Sequence, residues 1–244
     1  MRRVQRGSMR GPLTCLAVLT AAAIVSPTWA QAPPPPAPPP PAPPSPQAIA
    51  GAHMAADRLI DAADVAELFQ NVSEGAEPMV RDKASGLKCS FGIAPGAWAK
   101  DQILVFKTGL PRGDDVGCNL HFQTFLVSLD VQRQAKTPTL DVVTRYYVKS
   151  VLAVHPTAKP YTGDYFEPSK LAADFPVFNT VRLVFDDPAG PLFSRLSVAI
   201  VNGWVIEERV TGPASDAQFG DLLATGELLA AIDSVHGGDL LRKP

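Results

Sequence analysis

Apolar and polar positions recur along this chain with changing periods, and each change of period marks an element. Residues 13–25 form an unbroken run of apolar and small side chains. Residues 54–70 repeat at helical spacing: Leu59, Ala63, Ala66 and Phe69 fall on or near one stripe, while Asp57, Asp61 and Asp64 lie mostly opposite. The period then drops to two. Residues 87–93, which hold Cys89, and residues 102–107 read as strands, with Ala94-Pro95-Gly96 as turn formers between them. Pro111, Gly113, Asp114 and Asp115 mark another turn. A longer extended stretch covers 116–131. Leu120 and Phe122 share one of its faces, but Phe125, Val127 and Leu129 share the other. Such a phase change predicts a bulge or bend near Gln123-Thr124, or a strand covered on both faces.

The helical period returns after Thr137, a candidate N-cap, and Pro138, which suits a first helical position. Leu140, Val143, Tyr147, Val151 and Val154 make the apolar stripe, and Asp141 and Arg145 are a helical pair on the wet side. His155 precedes Pro156, which ends the helix. Residues 156–176 are long for a connection and carry Tyr161, Tyr165, Phe166 and Phe175; a short helix fits at 168–173. Strands follow at 178–185, 193–201 and 204–210. Asn202-Gly203 is a hairpin turn and 186–190 a second turn, which predicts a three-stranded antiparallel meander. A last helix opens on a capping box, Ser215 and Gln218. It buries Phe219, Leu222, Leu223, Leu229 and Ile232, and it ends at Gly237-Gly238. The order is α-βββ-α-βββ-α. It predicts an α+β fold with a roughly six-stranded, mainly antiparallel sheet and helices packed on it. This element order resembles that of PsbP- or Mog1-like domains, a likeness of architecture.

The chain's start changes the picture. Arg2, Arg3, Arg6 and Arg10 precede the 13-residue apolar run, and Thr28-Trp29-Ala30 offers small residues to a signal peptidase. A membrane span needs about 20 residues. Residues 1–30 therefore read as a cleaved secretory signal, and the protein as periplasmic or secreted, with no permanent membrane span. Cys15 stands at the wrong end of the run for a lipoprotein, and the surroundings of Arg2-Arg3 do not fit a twin-arginine signal. Residues 33–46 are proline at all but Ala37, Ala42 and Ser45. Residues 31–49 thus read as a proline-rich, disordered or polyproline II linker, at about 3.1 Å per residue. A spacer is the simpler role; a ligand for a proline-binding groove is the other. Residues 50–244 then make one globular domain.

The whole chain carries −2, and loss of a leader with four arginines and no acids takes it to −6. A mildly acidic protein gains no attraction to nucleic acid. Cys89 and Cys118 are the pair left after cleavage and read as one disulfide, against buried free thiols or a metal site. No metal or cofactor is expected, since neither C-x-x-C nor H-x-x-x-H occurs.

Neither G-x-S-x-G nor H-E-x-x-H occurs, and neither Ser85 nor Ser90 sits in an elbow pattern. Glu207 and Glu208 are adjacent on a strand and face opposite ways, so they cannot act as a pair. Asp114-Asp115 and Asp186-Asp187 lack the alternation of a calcium loop, and Arg112-Gly113-Asp114 recurs by chance. His53 precedes the first helix, and His155 and His236 sit at helix C-termini. His121 is the one catalytic candidate, because a bulge beside it would turn it into a cleft. Tyr161, Tyr165 and Phe166, with Trp204, are the binding candidates for a peptide or glycan. The chain reads as a non-catalytic binding or envelope-associated domain on a proline-rich stalk, with a protein, peptide or glycan of the envelope as partner. The alternatives are a small hydrolase using His121 and a structural subunit of an envelope complex.

Overall fold

A computed structural model describes residues 42–92, 101–168, 171 and 173–241. The leader, the proline run as far as residue 41 and the Ala94-Pro95-Gly96 turn lie outside the described residues, and the 168–173 helix is only partly within them. Among the described residues no helix is long and apolar enough to cross a membrane.

Helix α1 (Pro46–Ala63) starts eight residues before the expected position, at the end of the proline run. Ser45 caps it by accepting the Ala48 N–H at 3.2 Å, and Pro46 takes the first helical position, where a missing N–H costs nothing. His53 is therefore inside the helix and not before it. The helix also stops earlier than expected. Asp64 turns left-handed at φ 53° and its N–H reaches the Ile60 and Asp61 carbonyls, so Phe69 enters a strand instead of a helical stripe.

Three short strands follow, β1 (Phe69–Asn71), β2 (Met79–Asp82) and β3 (Lys88–Ser90), in a small antiparallel sheet. The main sheet has seven strands where about six were expected. They are β4 (Gln102–Val105), β5 (Asp115–Phe122), β6 (Phe125–Arg133), β7 (Lys159–Pro160), β8 (Phe178–Phe185), β9 (Leu192–Val201) and β10 (Trp204–Pro213). Their order is β4-β5-β6-β10-β9-β8-β7, antiparallel throughout. The single strand expected over 116–131 is a hairpin. Gln123-Thr124 is its turn, with Gln123 at φ 54° and Phe122 paired to Phe125. The change of apolar face is thus a reversal of the chain. The expected meander forms as β8-β9-β10, with Asn202 and Gly203 at φ 51° and 82° in the turn.

Helix α2 (Leu140–Val154) opens at Thr139 and not Thr137, without a side-chain cap. Helix α3 (Ala217–His236) follows a single 3-10 turn, Ala214–Asp216. The expected capping box is not made: the Ser215 hydroxyl donates to the Asp216 carboxylate at 3.4 Å. Gly237 ends α3 at φ 132°, as the sequence implies.

The fold is α+β. One face of the sheet buries Val116, Leu120, Val127, Leu129, Ile206 and Val210 against α1, the small sheet and α3. The Cys89–Cys118 disulfide joins β3 to β5 across this layer. The other face receives α2, which packs on β8, β9 and the start of β10 through Val143, Val198 and Val205. The β4-β5-β6-β10 half of that face therefore meets α2 only along the helix's flank.

Candidate functional site

A cleft of about 360 Å³ occupies that half-covered face. Strand alternation decides its floor, because residues two apart on one strand share a face. On β5 these are Asp115, Gly117 and Asn119; on β6, Ser128, Asp130 and Gln132; on β10, Glu207 and Arg209. Register then sets them side by side: Asn119 opposite Ser128, Gly117 opposite Asp130, Asp130 opposite Glu207, and Ser128 opposite Arg209. Directly opposed residues hold their Cβ atoms about 4.5–5.5 Å apart. Leu104 and Phe106 make the β4 wall, and Tyr146, Tyr147 and Ser150 of α2 make the other.

Gly117 makes the Asp130 position possible. A Cβ there would run into the Asp130 carboxylate and the Leu129 carbonyl. Asp130 Oδ1 lies in that space, fully shielded from solvent and without a hydrogen-bond partner. The neighbours bond one another: Ser128 donates to Asn119 Oδ1 at 2.8 Å, and Gln132 donates to Asp115 Oδ2 at 3.0 Å. Burial pushes the Asp130 carboxyl up to about 8; Glu207 and Asp115 add to the rise, and Arg209 opposes it. Burial likewise raises Glu207 to about 7, against the pull of Arg209. Desolvation, then the neighbouring acids, raises the Tyr147 hydroxyl as well. Around neutral pH the cleft thus retains a proton on Asp130 and, in part, on Glu207. Among the described residues no three His, Cys, Asp or Glu side chains are grouped to hold a metal ion.

Glu208 takes the opposite face, as alternation requires. It is fully buried beside Arg195 and Ser197, and burial raises it to about 8 despite Arg195. A second buried polar cluster surrounds it. Asp221 of α3 accepts Arg182 at 2.7 Å and the Phe166 N–H at 2.9 Å, and Arg195 donates to the Asp221 carbonyl at 2.7 Å. This cluster fixes the 161–168 loop to α3, although neither Glu208 carboxyl oxygen has a hydrogen-bond partner.

The residues singled out from sequence are dispersed. The Arg182 guanidinium lies 4.1 Å from the centre of the Tyr165 ring, and Phe166 is tied to Asp221. Tyr161 packs edge-on to Phe193, with ring centroids 5.1 Å apart. Trp204 is buried under Arg133. It lies eight residues along β10 from Gly212, the partner of Phe193, which is about 26 Å at the rise of a strand. The four side chains do not line one groove. No bulge turns His121 inward. Its ring Nδ1 stands 3.2 Å from Asp101 Oδ1, and the same oxygen accepts the His121 backbone N–H at 2.7 Å. Burial raises the Asp101 carboxyl against the pull of these contacts. His155 caps α2 and stacks on Phe185 at 3.9 Å, and His236 meets Asp239 at 3.1 Å. Ser85 bonds Asp82, and Ser90 bonds Glu77. Arg112 and Asp114 pair with Glu67 and Arg133.

The Asp130–Glu207 pair was not read from the sequence. Its members are 77 positions apart and meet only through the β6–β10 register. An acid at alternate positions of each strand was the available signal, but its partner depends on topology.

Set against known protein families and curated proteins, the sequence matches none. Among solved structures it is similar to a PsbP from the cyanobacterium Synechocystis, at 14% identity and a TM-score of 0.39 over 66% of this chain and 90% of that one. It is also similar to a Pseudomonas aeruginosa protein of unknown function described as a putative regulator, at 14% identity and 0.33 over 62% and 94%. A third is LpqN of Mycobacterium tuberculosis, a protein involved in cell envelope biogenesis, at 10% identity and 0.30 over 55% and 81%. All three scores fall below one half, so none of these likenesses carries an argument about this chain.

Proposed function

We propose that this is an exported, non-catalytic binding domain of the cell envelope, carried on the proline-rich segment, whose ligand sits in the cleft between α2 and the β4-β5-β6-β10 half of the sheet. One observation carries the reading: Asp130 Oδ1 is buried on the cleft floor with no donor to satisfy it. Glu208 on the core face is unpaired as well; what sets Asp130 apart is its place on the floor of an open cleft. The Cys89–Cys118 disulfide suits an oxidising compartment. The leader's sequence supports export. The test is native mass spectrometry of protein purified from its own envelope, beside a Ser128→Trp variant that fills the cleft. A retained mass on the parent and none on the variant is expected. The same mass on both would overturn the cleft as the site.

The His121–Asp101 contact supports the hydrolase reading to a lesser degree, because a histidine oriented by a carboxylate is half of a base–nucleophile arrangement. No hydroxyl or thiol among the described residues bonds His121. A His121→Ala variant with unchanged turnover of simple esters would remove this reading.

A further inference from the structure

We infer that the floor of the cleft recognises a primary ammonium group on a small organic ligand, held between the carboxyl groups of Asp130 and Glu207. The inference rests on the cleft being the binding site, and it names the chemistry of what enters.

The two side chains face each other across the β6–β10 pair and point into one space. Neither carboxyl accepts a hydrogen bond from any described residue, and Oδ1 of Asp130 is closed off from water. Arg209 lines the same cleft but makes no ion pair with either acid. The two carboxyls therefore stand side by side with no donor bonded to them, although Arg209, Tyr146, Tyr147 and Ser150 bring donors to the walls. An ammonium supplies three donors and one positive charge at a single atom, which fits two acids set this close. A neutral hydroxyl would satisfy one oxygen but bring no charge to offset ionisation of the acids. A metal ion is disfavoured by the ligand count. The walls suit the rest of such a ligand. Leu104 and Phe106 are an apolar lining for an aliphatic stem, and Tyr146, 67% exposed, presents an aromatic face at the rim.

In the free protein, protons occupy the place of the ligand's charge. Asp130 and Glu207 retain them near neutrality. The other groups facing the pair are Asp115 on β5, Arg209 on β10, and Tyr146 and Tyr147 on α2; β4 contributes only Leu104 and Phe106. An entering ammonium displaces protons, so affinity rises with pH through the range where the two acids ionise and weakens by up to about tenfold per pH unit below it for each proton displaced.

Isothermal titration of the disulfide-bonded protein with matched probes tests this. Nα-acetyl-lysinamide is compared with its Nε-acetylated form, and 6-amino-6-deoxyglucose with glucose. The expected result at pH 8 is at least about tenfold tighter binding of the charged member of one or both pairs, with proton release visible in the buffer dependence of the heat. The preference shrinks at pH 6 and vanishes in Asp130→Asn and Glu207→Gln, whose folding is checked by circular dichroism. Preference in the lysine pair alone or the sugar pair alone supports the inference and identifies the carrier. Equal affinity within both pairs, or a preference that survives both variants, overturns ammonium recognition and leaves the cleft standing. Failure of all four probes to bind also overturns it, while the native mass comparison decides separately whether the cleft binds anything.

Discussion

Replacing Asp130 with asparagine should stabilise this protein at pH 8 and leave it unchanged at pH 4. The carboxyl's ordinary value is 3.8, and in the fold it is raised to about 8. Below pH 4 the folded and unfolded chains both hold the proton, and the position costs nothing. Between 4 and 8 the unfolded chain releases a proton that the native state keeps, so stability falls as pH rises. Above 8 both states are ionised and the full penalty remains. At 1.36 kcal/mol per unit the difference would reach roughly 5–6 kcal/mol. The side chain is only partly covered at its outer edge, and water entering the cleft reduces that to about 2–3 kcal/mol. Asparagine keeps the shape and removes the ionisation. The assay is equilibrium urea unfolding of parent and variant, disulfide intact, from pH 4 to 9, read from the fluorescence of buried Trp204. Part of Asp130's rise comes from Glu207, so adding Glu207→Gln to Asp130→Asn should gain less than the two single changes summed. A stability offset equal at every pH, or a variant weaker than the parent at pH 8, would refute the reasoning.

Gly117→Ala forces a methyl group into the Asp130 carboxylate and the Leu129 carbonyl, and should cost about 1–3 kcal/mol in the same urea assay. Reducing Cys89–Cys118 frees a segment with a sequence separation of 29, so a Cys89→Ser, Cys118→Ser double variant should lose about 3–4 kcal/mol. The unreduced parent should show no thiol that labels at either position. Asp221→Ala removes the carboxylate that pairs with Arg182 and faces buried Arg195, and a loss of about 3–5 kcal/mol is expected. It also releases the Phe166 amide, so limited proteolysis should cut within 161–168 in this variant before the parent.

Local signals were legible where one residue type answers one backbone need. Asn202-Gly203 and Gly237 sit where positive φ is required, and both were readable. The α2 stripe packs through Leu140, Val143, Tyr147 and Val151, but Val154 in the last turn is exposed, and His155 ends the helix before Pro156. Signals failed where ordinary residues do special work. Gln123 adopts a left-handed conformation in a hairpin turn with no Asn-Gly to announce it, so two strands read as one. β1, β2 and β7 are four residues or fewer, too short for a period to show. Pro46 looked like the end of a spacer, but a first helical turn accepts proline as readily as a polyproline segment does. The site was the least legible part. That Glu207 and Glu208 face apart follows from alternation alone, but the identity of what faces Glu207 does not.

The placement of that pair has a geometric origin. Seven strands at about 4.8 Å spacing make a sheet roughly 29 Å wide. A single helix about 10 Å across covers two of them. α1, the small sheet and α3 together close the first face, so apolar residues fill it. α2 closes β8, β9 and the Val205 end of β10 on the second, which leaves β4, β5, β6 and the Glu207–Arg209 stretch of β10 along its flank. Such a face is usually solvated, with polar side chains that point outward and bond water. Here the Tyr146 and Tyr147 flank narrows the opening and partly dries the floor. Acids that would be harmless on an open sheet become costly, and the Asp130 oxygen over Gly117 becomes the costliest of them. An apolar residue at 130 would extend the α2 core with no such penalty. The chain keeps a carboxyl there, and opposes it with a second one, on the floor of an open cleft.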